Sequence, residues 1–197
     1  IGGDDANYRI SPEWAMGVVG RLAAEAEKTG ADLYLTTSRR TAPETEQALE
    51  TLAERPSPFR MLFLASRDPS NPVPGILGGC SEVFCTEDSV SMVSEAATAG
   101  FRVKILRVGR KEGLKRRLQD ATALLVLKGW LSKRRLWGAP RFDAMLEAFK
   151  SRALATESFP WDNGTKAEAS ERHDFNEARA AADWICREWE RKGSGAK

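Results

Sequence analysis

The sequence predicts an α/β fold: a Rossmann-like parallel sheet with helices on both faces, followed by C-terminal helices that pack back onto it. Three observations predict this. Short apolar runs alternate with longer helical patterns from Ile1 to Leu127, and that alternation builds parallel sheets covered on both sides. Helix-start signals recur directly behind the apolar runs. With 42% hydrophobic and 29% charged residues in 197, and no repeat or low-complexity tract, the chain can bury a real core.

The elements follow in order. Ile1 reads as the end of a strand, broken by Gly2 and Gly3. Ser11-Pro12-Glu13 starts a helix, with Ser as cap, Pro in the first turn and Glu at the positive end; it runs to about Lys28 and stops at Gly30. ADLYLTTS, residues 31–38, reads as a buried strand. Thr41-Ala42-Pro43-Glu44 repeats the start signal, and a helix runs to about Arg55. FRMLFLA, residues 59–65, is the next strand. SRDPSNPVPG is a loop rich in turn formers, with a short helix after it at residues 76–79. EVFCT, residues 82–86, is a strand, then comes a helix to Gly100. RVKILRV, residues 102–108, is another strand, with a helix from about Lys111 to Leu127.

Beyond residue 128 the character changes, which divides the chain into an α/β domain (1–128) and a helical extension (129–197). KGWLSKRRLWGAPRF is basic and aromatic, DAMLEAFKSRAL is amphipathic, and DFNEARAAADWICREWER is a final helix. No strand is expected in this extension.

Several functional classes are disfavoured. No apolar run approaches the ~18 residues that cross a bilayer. The opening IGGDDANYRI lacks the basic-then-apolar order of an export signal, and cytoplasmic residence is the expectation. The three cysteines, Cys80, Cys85 and Cys186, show no CxxC spacing, and His173 is the sole histidine. A zinc cluster is therefore not expected, and Cys85 should be a buried strand residue. Net charge is +2, but between Arg102 and Arg135 twelve basic residues face only two acids, Glu112 and Asp120. Such a stretch suits a membrane surface, an acidic protein or a solvated helix face. Trp130 and Trp137 interleave with Lys and Arg there, yet they are expected to cap the core. Nucleic acid is not the expected partner.

In open parallel sheets, ligands bind at the carboxyl ends of the strands, so each strand-to-helix turn is a candidate site. Gly2 and Gly3 would let the backbone approach an anion. TTSRRT, with Ser38, Arg39 and Arg40, suits phosphate or carboxylate. The third turn is CTEDSVSMVSEAATAG. Thr86 ends a strand, Asp88 or Ser89 can cap the helix, and Ser91 lies in its first turn, where unpaired N–H groups and the dipole favour a diphosphate. Glu95 is one turn deeper on the face of Ser91, where a carboxylate could accept both ribose hydroxyls. Val90 and Met92 would line a base pocket or pack the core. The same pattern also suits a capped helix whose Glu95 faces solvent. Asp4-Asp5 is adjacent rather than spaced as Asp-x-Asp, so no metal is expected. His173 reads as a capping or solvent-exposed residue.

The turn residues Asp88 to Ala96, with the following Gly100, look like the donor-nucleotide turn of GT-B glycosyltransferases, including the murein glycosyltransferase. More closely, Gly2-Gly3, Thr37 to Arg40, Asn71-Pro72 and Asp88 to Ala96 resemble the mitochondrial-fission elongated-mitochondria family, whose bacterial members are often labelled nucleoside-diphosphate-sugar epimerases. PRFDAMLEAF and NEARAAADWI resemble its C-terminal segments. The chain departs from the pattern at Val73, Cys80-Ser81 and Phe101. The resemblance implies the second half of a GT-B-type protein, holding a UDP-type sugar-nucleotide as substrate with no other cofactor. It implies that a preceding half, expected as a partner, supplies the acceptor site and any catalytic base. In this frame Arg39 or Arg40 would neutralise the leaving diphosphate, Ser89 and Ser91 would hold phosphates, and Glu95 would hold ribose. An epimerase or a non-enzymatic adaptor on the same scaffold are the alternatives. The adaptor would dock through the basic stretch 102–135.

Overall fold

The computed structural model describes residues 1–5, 7–54, 58–111, 130, 142–157 and 175–193. Its order is β1 (Tyr8–Arg9), α1 (Pro12–Thr29), β2 (Leu33–Thr36), α2 (Pro43–Ala53), β3 (Phe59–Phe63), α3 (Val73–Gly79), β4 (Phe84–Thr86), α4 (Val90–Thr98), β5 (Val103–Leu106), β6 (Gly109–Arg110), α5 (Phe142–Ser151), β7 (Ala155–Thr156) and α6 (Glu177–Gly193). The fold is Rossmann-like α/β, as the alternation predicts.

Local chemistry explains the helix ends. Ser11 takes the N-cap of α1 and its hydroxyl accepts from the Trp14 amide at 3.3 Å, with Pro12 behind it where a missing N–H costs nothing. Gly30 ends α1 at φ +70°, the left-handed conformation glycine adopts without strain. The helix expected at 76–79 begins earlier, at Val73, because Pro74 in a first turn removes no intrahelical bond. The helix expected from Lys111 to Leu127 and the 128/129 boundary fall outside the described residues, as do Trp137, His173 and most of the basic stretch.

Parallel pairing joins β2 to β3, and β4 to β5 to β7. Residues 1–3 lie between the two groups. The Ile1 nitrogen donates to the Thr36 carbonyl of β2 at 2.8 Å, and the Gly2 amide donates to Thr86 Oγ1 of β4 at 2.7 Å. Strand β5 shows that both sheet faces are covered. Its Val103 and Ile105 belong to one buried cluster, with Val93 and Ala97 of α4 and Leu146 of α5. Leu106 and the following Val108 belong to the other, with Val18, Val19 and Leu22 of α1 and Leu49 of α2. Alternate side chains of one strand thus feed two cores.

Four expectations are corrected. Residues 31–38 do not form a uniformly buried strand: Tyr34 is 45% exposed. The extension does contain a strand, β7, whose two residues are too few to show a period. Strands β1 and β6 form an antiparallel pair, Tyr8 opposite Arg110 and Arg9 opposite Gly109, which no alternation announces. Trp130, expected to cap the core, is 79% exposed. Leu146 anchors α5 and Phe175 is buried just ahead of α6, but Trp184, Ile185 and Trp189 of α6 are exposed.

Candidate functional site

The turns after β2 and β4 meet across residues 1–4. Thr41 Oγ1 donates to the Gly2 carbonyl at 2.6 Å, the Asp4 amide donates to the Arg40 carbonyl at 3.1 Å, and the Gly3 amide donates to Asp88 Oδ2 at 3.0 Å. A Cβ on Gly3 would stand 2.1 Å from the carbonyl carbon of Arg40, and one on Gly2 would stand 2.1 Å from the Asp88 carboxylate. Both glycines are therefore required by the packing of the chain against itself, whatever else approaches them.

Asp88 is fully buried. Its Oδ2 accepts from Gly3 N, from Arg40 Nη2 at 3.1 Å and from Ser89 Oγ at 3.4 Å, while Oδ1 has no partner. Arg40 also donates to the Gly3 carbonyl at 3.2 Å and lies 3.8 Å from Asp5. The guanidinium thus clips the two turns together. Ser89 occupies the N-cap position of α4 but makes no side-chain cap, and Asp88, the other expected cap, spends its carboxylate on Gly3 and Arg40. The first N–H groups of α4 are left without the cap the sequence suggests.

The candidate residues divide in two. Gly2, Gly3, Arg40, Thr86, Asp88 and Ser89 are engaged with one another. Arg39, Ser91 and Glu95 are exposed, and the Arg39 and Glu95 side chains form no hydrogen bond or ion pair among the described residues. Ser38 is half-buried and its hydroxyl accepts from the Arg40 amide at 3.3 Å. Val90 is half-buried, and Met92 packs against the cluster around Val93. Of its two expected roles, Met92 takes the core one.

The expected placement of Cys85 holds: it is buried, and burial pushes its thiol up to about 11 from an ordinary value of 9.0. Asp4 and Asp5 shape their own loop. Asp5 Oδ1 accepts from the Asn7 and Tyr8 amides at 2.7 Å, and Asp4 Oδ1 accepts from Ile10 N at 2.8 Å. Among the described residues no group of three or more His, Cys, Asp or Glu could hold a metal ion.

Sequence reasoning missed Glu87. It is buried directly after β4. Its Oε1 accepts from Val108 N at 3.0 Å and its Oε2 from Arg107 at 2.6 Å and Arg110 at 3.5 Å. Arg107 also reaches Glu157 at 2.6 Å, and Arg110 bonds Asp143. Burial works to raise Glu157, but bonds from Lys150 and Arg107 outweigh it and hold the carboxyl below the ordinary range. The only signal in the sequence is an acid placed between an apolar strand end and Asp88, with arginines behind the next strand.

The residues that carry the resemblance can now be placed. Gly2-Gly3, Thr37 to Arg40 and the start of the Asp88 to Ala96 segment meet where the turns after β2 and β4 come together, while Asn71 Oδ1 accepts from Val73 N at 3.1 Å just ahead of α3. The model of the family described as mitochondrial fission ELM1 matches residues 1–189. The chain belongs to that family. No curated protein and no solved structure matches it. In this ELM1-family chain no helix among the described residues is long and apolar enough to cross a membrane.

Proposed function

We infer that this chain is the donor-binding half of a GT-B-type, glycosyltransferase-like protein, and that the α4 turn takes the diphosphate and ribose of a UDP-type sugar-nucleotide. One observation carries the reading. The Arg40–Asp88 clip joins the two strand-end turns, so the free Arg39 and the uncapped start of α4 border one rim, with Ser91 and Glu95 exposed a turn apart beside it. Of the two expected cations, Arg40 is held in the clip and Arg39 is the one that meets the phosphates. Ser91 and the first amides of α4 hold the same group, and Glu95 accepts from the ribose hydroxyls. A preceding half supplies the acceptor, and the place of action is the cytoplasm.

Calorimetric titration with UDP, GDP and ADP tests this. UDP binding that weakens about tenfold or more in Glu95→Ala and in Arg39→Ala is the expected result. Failure of all three nucleotides to bind would overturn it and leave the adaptor reading. That second reading is favoured by the exposed Trp184, Ile185 and Trp189 of α6, a large apolar group for a surface helix.

A further inference from the structure

Two clefts among the described residues lie beside the strand-end turns. The larger, about 550 Å³, is lined by Arg9, Ser11, Trp14, Gly109, Arg110 and Lys111. It sits where the β1–β6 pair meets the start of α1. Its described lining holds three cations and no carboxylate. A smaller cleft of about 230 Å³ shares Arg9, Ser11 and Lys111 but adds Asp4 and Glu44, so an anion is favoured on the Trp14 side.

The three cations differ in what they already do. Arg110 bonds Asp143 and Glu87. Lys111 donates to the Asp5 carbonyl at 2.8 Å and lies 3.6 Å from Asp4. Those contacts pin the walls. Arg9 is exposed and forms no hydrogen bond or ion pair among the described residues; the exposed Glu13 carboxylate of α1 feels its charge without pairing with it, so the guanidinium keeps its donors for a ligand. Trp14 is partly buried against the core, and its indole N–H has no acceptor among the described residues. Opposite Arg9 in the pair stands Gly109, which adds no side chain to the cleft.

We propose that this cleft is a second ligand site, for a small organic phosphate whose flat ring lies against Trp14 and whose dianion meets Arg9, with Lys111 and Arg110 behind it. The volume falls in the range of small-molecule sites and exceeds what phosphate alone would fill. Guanidinium and phosphate pair in a fork, and an indole face offers a ring a wide apolar platform. The site does not depend on nucleotide binding at α4.

The test follows the Trp14 indole ¹H–¹⁵N resonance, assigned through Trp14→Phe, during titration with phenyl phosphate and, separately, inorganic phosphate. Phenyl phosphate should shift that resonance saturably and bind about tenfold tighter than inorganic phosphate. Arg9→Ala should weaken phenyl phosphate about tenfold, and Glu95→Ala should leave it unchanged, which separates this site from the α4 turn. No shift of the Trp14 resonance up to about 10 mM phenyl phosphate, or an unchanged affinity in Arg9→Ala, overturns the proposal. Equal affinity for the two probes overturns the role of the ring.

Discussion

Replacing Glu87 by alanine should be among the most damaging single changes in the chain, and its cost can be worked from the contacts. The Val108 amide loses its acceptor in a buried position, which costs about 1–3 kcal/mol. Arg107 and Arg110 keep Glu157 and Asp143, and their side chains are 39% and 31% exposed, so each loses only about 0.5 kcal/mol. The emptied volume adds about 1 kcal/mol, and the total is about 3–5 kcal/mol. Glu87→Gln fills the volume, but one amide oxygen can serve Val108 or the arginines and not both, so about 1–2 kcal/mol is lost. With a urea slope of about 2 kcal/mol/M, midpoints should fall by about 1.5–2.5 M for alanine and about 0.5–1 M for glutamine. Circular dichroism during urea unfolding reads both. A fall below about 0.5 M for Glu87→Ala, or glutamine costing as much as alanine, would refute the reasoning, since it rests on an orphaned Val108 amide.

Three further outcomes are expected. Gly3→Ala forces its Cβ against the Arg40 backbone and should cost about 3 kcal/mol or more with no nucleotide present, read by thermal unfolding, whereas a glycine kept only for a ligand would leave the apo-protein unchanged. Ala153, in the tight turn after α5, has φ +57°, so Ala153→Gly should raise stability by about 0.5–1 kcal/mol in the same assay. The Cys85 thiol is favoured over its thiolate by burial, so its contribution is full below pH 9.0 and is lost as pH rises from there through about 11; that loss, roughly 2–3 kcal/mol, should vanish in Cys85→Ala, as followed by urea unfolding across this range.

The alternation of strands and helices was readable because it depends on local period and on punctuation by Ser11-Pro12, Pro43 and Gly30. What escaped was everything set by tertiary register. Two-residue strands such as β1, β6 and β7 exist because a neighbour offers hydrogen bonds, and two residues carry no period. The exposure of Tyr34 reflects which face the helices cover, not the residue's β-propensity. Trp130 is expected to cap the core, yet it is 79% exposed.

The rim makes the same point about chemistry. Thr86, Glu87, Asp88 and Ser89 read as one polar turn, equally suited to a ligand or to a cap. In the fold these four side chains are buried and each is hydrogen-bonded within the fold: Thr86 and Asp88 hold residues 2 and 3, Ser89 donates to Asp88, and Glu87 holds the turn after β5. Buried polar groups of this kind position a turn before they can serve a ligand. Under the proposed reading, ligand contacts at the rim therefore fall to side chains that the internal network does not use: Arg39, Ser91 and Glu95. Arg9 stands in the same relation to the neighbouring cleft, where Arg110 and Lys111 are already engaged. The residues worth mutating for binding are thus those that the internal network does not use.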